Sequence, residues 1–360
     1  MNLTRLWMIA RLELLQRVRT VSWYILLGIF AVVLIAVTAL TFLAFGVVDQ
    51  AGAGIYSVVV YVTLLLVLLV SPTLSGNSIN GDRDAATLAP VQVTLATTGE
   101  ILLGKFTAAW LTGLAFAVVA APFLIIATFA GGVDPLTVVI SLAVLVIETG
   151  VIAAIGIAMS GIVARPLFSV AATYLIVAAL TIGTVIGFGL VGASITSEGV
   201  NMYRSVEFDP VTGEPLCRDG VEDCAHDPGS MQCGQWQTDS SRVPRFDRVW
   251  WMLAANPFVI LADSTPPRFD AGGYPVDAFG WLQVSVRNAQ LAPQLETRWD
   301  DCAPWQEQET PTPEETVAGT VPSWFVGLGA QVVLTAGLMS WAGVRTRTPA
   351  RTLPPGTRIA

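Results

Sequence analysis

The sequence predicts an all-α polytopic membrane protein with six transmembrane helices, an N-terminal interfacial helix and a disulfide-containing extracellular loop domain between helices 5 and 6. Three observations lead to this fold class. Of the 360 residues, 53% are hydrophobic and only 13% are charged, whereas soluble domains carry about 25% charged residues. Six apolar stretches have the length of about 20 residues that crosses a bilayer. Outside the longest loop, the basic residues lie on one side of these stretches, as in cytoplasmic loops.

The six predicted spans are residues 21–46, 55–74, 106–130, 135–163, 167–192 and 322–344. The first follows four arginines, but it is longer than the roughly 7–15 apolar residues of a secretory signal, so we expect an uncleaved span. None of the 19 basic residues lies in a span, and only eight lie in the long loop 193–321. Because long loops cross largely regardless of charge, both termini are predicted to be cytoplasmic, including the tail 345–360.

Composition also bounds the location and the partners. Arginine outnumbers lysine 18 to 1, a bias typical of a GC-rich bacterial genome, so the predicted location is a bacterial plasma membrane. The net charge of -8 comes from the long loop, where acidic residues concentrate. A nucleic-acid partner, which would require a basic surface, is therefore not expected, and membrane lipids are the solvent for most of the chain.

Residues 1–20 have the pattern of an amphipathic helix. Leu3, Leu6, Trp7, Ala10 and Leu14 recur at helical spacing, with arginines between them. Such a helix lies in the membrane interface, with its apolar face in the acyl boundary and its arginines near anionic headgroups. The alternative is that these residues extend the first span into the cytosol.

The loop 75–105 is too polar to span and too apolar to serve only as a linker, so we expect short helices broken near Pro90 and Gly99. Residues 99–105 read GEILLGK, which matches the start of a phosphate-binding loop. However, Phe106 stands where Ser or Thr would hold magnesium, and no strand is predicted before the motif. An ATP site in this chain is therefore not expected.

The same loop resembles the cytoplasmic segment of ABC type-2 transporter permeases. The matching stretches are GDRDAATL at 81–88, LATTGEILLGK at 95–105 and, near the N-terminus, RLELLQRVR at 11–19. The sequence departs from the family at Asp82, where Glu is usual, and at Thr98, where Pro is usual. The resemblance implies a permease subunit without catalytic residues or a bound cofactor. The resemblance also implies that this subunit pairs with a second permease subunit, as a homodimer or heterodimer, and that it docks a cytoplasmic ATP-binding subunit, which hydrolyses the ATP.

By this resemblance the loop couples ATP hydrolysis to the spans, because a short helix rigidly joined to two spans can transmit movement of a docked partner. For Lys105 the alternative is that it merely extends to the membrane boundary. The residues assigned to coupling are Asp82, Arg83, Asp84, Thr87, Glu100 and Lys105.

Glu148 is the one ionisable acid or base well inside a predicted span. A carboxylate at the bilayer centre costs roughly 2.5 to 3.5 kcal/mol, so such residues usually face a cavity or a partner. Glu148 is therefore predicted to be an intramembrane polar site that contacts substrate or carries a proton. The alternative is a protonated carboxyl that hydrogen-bonds to a neighbouring helix, through Thr149 or a nearby serine.

All four cysteines, Cys217, Cys224, Cys233 and Cys302, lie in the loop 193–321. Their exclusive placement there favours two disulfides in an oxidising compartment, with three possible connectivities. His226, the only histidine, lies among them and raises a zinc site as the rival. The cysteine spacing matches no standard zinc finger, so no metal site is predicted.

Within this loop, residues 249–262 are almost continuously apolar. Fourteen residues are too few to span and indicate a re-entrant or interfacial segment. We expect it to break at Pro257 and to hold Trp250 and Trp251 at headgroup level. The alternative is the buried core of the loop domain.

The predicted function is the permease subunit of an ATP-driven exporter that moves a hydrophobic or amphiphilic substrate by alternating access. Two alternatives stay open. One is a membrane protein that displays a sensory or interaction ectodomain without transporting anything. The other is an ion-coupled carrier that uses Glu148.

Overall fold

A computed structural model describes residues 2–46, 51–84, 97–218, 224, 230–303 and 311–346. It is mostly helical, and six of its helices are long and apolar enough to cross a membrane. The prediction of six spanning helices is therefore confirmed at the level of length and composition. Two disulfides are also present.

The chain begins with helix α1 (Leu3–Val18), followed by the first span, α2 (Val21–Phe45). The second span is α3 (Gly52–Ser75), extended by the short helix α4 (Ser78–Asp84). The third and fourth spans are α5 (Thr98–Phe129) and α6 (Pro135–Ile162). Between them Gly131 and Gly132 have φ of 91° and 78°, a left-handed conformation that favours glycine. These glycines form a tight turn, so α5 and α6 are antiparallel neighbours.

The fifth span, α7, covers Pro166–Ser194 and contains a π-helical stretch at Ala179–Gly183. The sixth, α12 (Trp324–Thr346), packs along α6. Buried apolar side chains from α2, α3, α5 and α6 form one continuous core, which includes the large buried rings of Tyr56 and Phe116. The outward faces of α2 and α7 remain apolar and exposed, as expected for surfaces that meet lipid or another subunit.

The third span begins earlier than predicted, at Thr98 rather than residue 106. A capping box sets this start, because the Thr97 side chain accepts from the Glu100 N–H and the Glu100 carboxylate accepts from the Thr97 N–H. The helix begins one residue before Gly99, so a helix boundary lies near that residue as predicted, and from there the helix runs without a break into the span. The predicted break at Pro90 lies outside the described residues.

The loop between α7 and α12 is not all-α, which corrects the predicted fold class. It contains strands β1 (Thr196–Arg204), β2 (Gln237–Pro244) and β3 (Glu296–Asp300) in the order β2-β1-β3. Strand β2 is antiparallel to β1, with Val200 opposite Ser240, and β3 is parallel to β1. Most residues of these strands are polar, although Val200 and Met202 lie on one face of β1. The strands therefore lack the sustained alternation that identifies a strand.

The described part of the loop also contains four short α-helices: α8 (Trp251–Ala254), α9 (Pro257–Ser264), α10 (Ala278–Asn288) and α11 (Pro313–Gly319). Ile260 and Leu261 of α9 and Phe279 of α10 join the same core as the spans. These helices therefore pack onto the end of the bundle instead of forming a separate body.

Candidate functional site

The bundle has two ends. We call the end that holds α1, α4 and the start of α5 the terminal end, and the opposite end, which carries the long loop, the loop end.

Lys105 lies at the centre of the terminal end. Its side chain is only 3% exposed, yet it pairs with two carboxylates, those of Glu13 in α1 and Asp82 in α4, the latter at 2.7 Å. Its Nζ also donates to the Ser78 carbonyl oxygen at 3.1 Å. Because a buried ammonium is stable only with such partners, this one side chain fastens α1 and α4 to α5.

Glu100 strengthens the same junction from the N-terminal side. Besides capping α5, its carboxylate accepts from the Asn2 N–H at 2.6 Å. One turn further along α5, a Cβ on Gly104 would lie 2.9 Å from the Cβ of Ile9. Helix α1 thus packs directly on α5, with glycine permitting the close approach.

Helix α4 is held against the end of α6. The N–H groups of Ile79 and Asn80 donate to the Ser160 hydroxyl at 2.9 and 3.1 Å, and Asn80 Nδ2 donates to the Val163 carbonyl at 2.7 Å. Arg83 donates to the Gly161 carbonyl oxygen at 3.3 Å. The segment after the second span is therefore anchored to the fourth span as well as to the third.

Arg17 is a second, partly buried cation of this end. Its Nη2 donates to the Leu74 carbonyl at 2.8 Å. Burial lowers the pKa of its guanidinium, and the Glu13 carboxylate acts in the opposite direction. Glu13 thus interacts with two cations.

Of the residues assigned to coupling, Asp82 and Lys105 contact each other, while Arg83 and Glu100 lie at the same end and contact other residues. The side chain of Asp84 and all of Thr87 lie outside the described residues. Sequence reasoning missed Glu13, Asn80 and Ser160. A signal existed for Glu13, because it is the single acid among the first twenty residues and would require a cation inside an apolar junction.

Glu148 is fully buried in α6. Within the described part of the chain, neither carboxyl oxygen has a hydrogen-bond partner, and the same holds for Gln331 Oε1 of α12. The Gln331 side chain approaches the carboxyl without hydrogen-bond geometry. The expected alternative partner, Thr149, instead donates to the Leu145 carbonyl of its own helix, so that alternative is wrong for Thr149.

The disulfides are Cys217–Cys224 and Cys233–Cys302, which selects one of the three possible connectivities. Since every cysteine is oxidised, no thiolate is left to bind zinc, and the zinc alternative through these cysteines is excluded. His226 lies outside the described residues.

The apolar segment 249–262 folds as α8 and α9, with a break at Asn256 and Pro257. Pro257 occupies the first turn of α9, and the Asn256 side chain caps that helix by accepting from the Phe258 N–H. Trp251 is 57% exposed and Trp250 is half-buried. The segment packs closely on the last span.

Asn256, which sequence reasoning missed, also reaches the fifth span. Its Nδ2 donates to the Thr181 carbonyl at 2.7 Å and lies 3.0 Å from the Thr184 hydroxyl. Thr181 belongs to the π-helical stretch of α7, where the regular carbonyl pairing is broken. Asn256 thus satisfies a backbone group that the π-helix exposes.

A second missed cluster fastens the loop end. Asp263 of α9 pairs with Arg287 of α10 at 2.6 Å, and both side chains are buried. The Asp263 carboxylate also accepts from the Ser323 N–H, from the Ser323 hydroxyl at 2.8 Å and from the Trp324 N–H at 3.2 Å. It therefore caps α12 while joining two loop helices to it.

No family model matches the chain, and no curated protein matches it significantly.

Proposed function

We propose that this chain is the permease subunit of an ATP-driven exporter of the ABC type-2 class, and that a separate ATP-binding subunit supplies the energy. It would move a hydrophobic or amphiphilic substrate by alternating access, without a catalytic site of its own. The observation that carries the proposal is the buried Lys105, which joins α1, α4 and α5 at the end of the bundle that would face the ATPase.

Coupling needs a segment that moves with at least two spans. Helix α4 continues the second span, and the first turns of α5 continue the third. The Asp82–Lys105 pair bridges these two extensions, and Ser160 and Val163 tie α4 to the fourth span. A partner that pushes on this end would therefore displace three spans together.

The proposed membrane placement puts both termini in the cytoplasm of a bacterium and the long loop outside the plasma membrane. Two disulfides in that loop support this orientation, because disulfides persist in oxidising compartments. For α1, the exposure of Leu3, Trp7 and Leu12 supports an interfacial position, where apolar side chains enter the acyl boundary.

A second permease subunit also belongs to the proposal. Of the 18 most apolar consecutive residues of α7, only 11% are buried, compared with 56% in the fourth span. Helix α7 therefore offers the least covered face of the six spans, and this face is available to a second subunit or to lipid.

The test is co-purification with an ATP-binding subunit and stimulation of its ATP turnover in a reconstituted membrane. Lys105→Met removes the charge and leaves Glu13 and Asp82 without it, so stimulated turnover should fall severalfold. Asp82→Asn removes one of the two carboxylates that pair with Lys105 and should lower the turnover less, whereas Lys105→Arg keeps the charge and should retain most of the stimulation. Arg165→Met is the control, because Arg165 is a basic residue of the same end that contacts the Phe168 ring but not this cluster.

Unfolding of Lys105→Met would be detected by size-exclusion chromatography, and Asp82→Asn would then carry the comparison. Full stimulation in a folded Lys105→Met variant would contradict the coupling role. The absence of any ATPase partner in native purification would contradict the function as a whole.

Glu148 supports a second candidate, an ion-coupled carrier, because a fully buried carboxyl without a hydrogen-bond partner among the described residues can take up and release a proton. Transport that depends on a pH gradient and is abolished by Glu148→Gln would favour it. Transport that depends on ATP and survives Glu148→Gln would favour the exporter.

A further inference from the structure

A cavity of about 700 Å³ opens at the loop end, between the end of α2, the start of α3 and the loop segment 268–281. Its volume falls in the range of roughly 300–1,000 Å³ that is typical of small-molecule sites. The spans contribute mainly small residues, among them Ala51, Ala53 and Gly54. A Cβ at Gly54 would meet no atom within 4 Å, so this wall leaves room for a ligand.

The charged residues that line the cavity are Arg268, Asp270 and Asp277. Arg268 is already engaged, since its Nη1 donates to the Gly132 carbonyl and its charge acts on Asp277. The two carboxylates outnumber the single guanidinium, so these three residues leave one net negative charge. An anionic head group would be repelled, and a cationic one would be attracted.

The two carboxylates are held in place by backbone N–H groups. Asp277 Oδ1 accepts from the Gly280 N–H at 2.8 Å, and Asp270 Oδ1 accepts from the N–H groups of Gly272 and Tyr274 at 2.8 and 2.9 Å. Each carboxylate is thereby fixed in direction, which lowers the cost of ordering it on a ligand.

Aromatic rings complete the lining. Phe45, Phe269 and Trp281 border the cavity, and Trp281 is 55% exposed and stacks on Tyr274 with ring centroids 6.5 Å apart. Rings attract an ammonium group through their faces. Val58 and Phe45 continue the apolar surface onto the spans, where an alkyl chain could lie.

We propose that this cavity binds an amphiphile with an ammonium head group, its charge between the carboxylates and the rings and its alkyl chain along α2 and α3. Binding as such does not depend on transport. That the bound amphiphile is the exported substrate rests on the proposed function.

The probe is a dodecyltrimethylammonium analogue with a photoreactive diazirine next to its head group, applied to the full chain in an uncharged detergent. Cross-linked peptides are mapped by mass spectrometry. The label should fall on residues 51–58 and 268–281, and unlabelled dodecyltrimethylammonium should compete with it. A probe with the same chain and a sulfonate head group should label at least tenfold more weakly.

Two variants test the lining. Asp277→Asn keeps an acceptor for the Gly280 N–H while removing the charge, and it should weaken binding about fivefold, which corresponds to ~1 kcal/mol. Gly54→Leu should weaken labelling severalfold because the new side chain projects from a wall that now leaves open space. The matched controls are Asp209→Asn, which removes another turn-capping carboxylate, and Gly28→Leu, at an exposed glycine with open space around it. Both should bind as the parent chain does.

Labelling elsewhere, equal labelling by the sulfonate, or unchanged binding in both cavity variants would overturn the proposal. The assay contains no ATPase and no transport step. Specific labelling together with a failure to stimulate any ATPase would therefore reject the proposed function and leave the site intact.

Discussion

The Asp263 carboxylate is expected to be the most important single polar group for the stability of the loop end. Asp263→Ala would leave Arg287 buried without its counter-ion. It would also remove the acceptor for the Ser323 and Trp324 N–H groups at the start of α12. Because α9, α10 and α12 meet at this carboxylate, all three lose a fixed contact.

The size of the stability loss in Asp263→Ala follows from the burial of the ion pair. Asp263 is 0% exposed and Arg287 is 4% exposed, so solvent screens this pair little. Removing one partner of a buried ion pair costs about 3–5 kcal/mol, and losing a helix N-cap costs about 1 kcal/mol. Arg287 keeps its hydrogen bond to the Thr320 carbonyl, which places the cost of breaking the ion pair near its lower limit and the total, with the cap, at about 4 kcal/mol.

The assay is thermal unfolding of the purified chain in detergent, followed by the loss of monodisperse protein. At about 2–4 °C per kcal/mol, the unfolding temperature should fall by roughly 8 °C or more. The double variant Asp263→Leu with Arg287→Met should recover much of the loss, because an apolar pair of similar volume leaves no unpaired charge. Asp300→Ala is the matched control, since it breaks the more exposed Arg204–Asp300 pair and should shift the temperature far less. Equal shifts for Asp263→Ala and Asp300→Ala would refute the reasoning from burial.

Three further predictions concern the same part of the molecule. Gly327→Ala should destabilise the chain by about 1–3 kcal/mol, because the new Cβ would lie 1.8 Å from the Ala254 carbonyl oxygen. Gly329→Ala is the control and should leave stability unchanged, because a Cβ there meets open space. Equal melting temperatures for the two variants would contradict this packing. The Cys233–Cys302 disulfide spans 69 residues and Cys217–Cys224 spans 7. By the loop-entropy relation, removing the longer-range disulfide should destabilise the loop by about 2 kcal/mol more than removing the shorter one. Equal gains in protease sensitivity for the two variants would argue against this difference. Burial raises the pKa of Asp277, so its carboxyl binds a proton more tightly in the folded chain than in the unfolded chain. The stability that this protonation contributes is present at low pH and is lost as pH rises through the folded pKa. The melting temperature of Asp277→Asn relative to the parent should therefore rise between pH 3.5 and pH 7, and a constant difference would contradict the shift.

The spans were predictable because the bilayer imposes a length and an apolar composition that few soluble helices share. Their ends were less predictable. Lys105 has the sequence character of a membrane boundary, but α5 continues seven residues beyond it toward the N-terminus. The reason is the Thr97 capping box together with the partners supplied by Glu13 and Asp82, which make a lysine tolerable inside the packed junction.

The loop was hardest to predict because its order depends on contacts between distant residues. Strand β1 pairs with β3 nearly a hundred residues later, and neither strand has an alternating apolar pattern. Arg287 and Asp263 are charged residues in an apolar context, and nothing local identifies one as the partner of the other. The apolar segment 249–262 was recognised and its break located, but its packing on Gly327 required the structure.

Polar links are distributed unevenly over the six spans, and this distribution bears on how the bundle could move. Helices α3 to α6 are joined at the terminal end through Lys105 and Ser160, and α12 is fastened at the loop end through Asp263. Among the described residues, no side-chain hydrogen bond joins α2 to another span; it packs through rings, with Phe30 and Trp23 against Phe116. Apolar contacts are non-directional, so α2 can shift at lower cost than its neighbours. Because Phe45 at its end borders the cavity, a shift of α2 would change the volume available to an amphiphile.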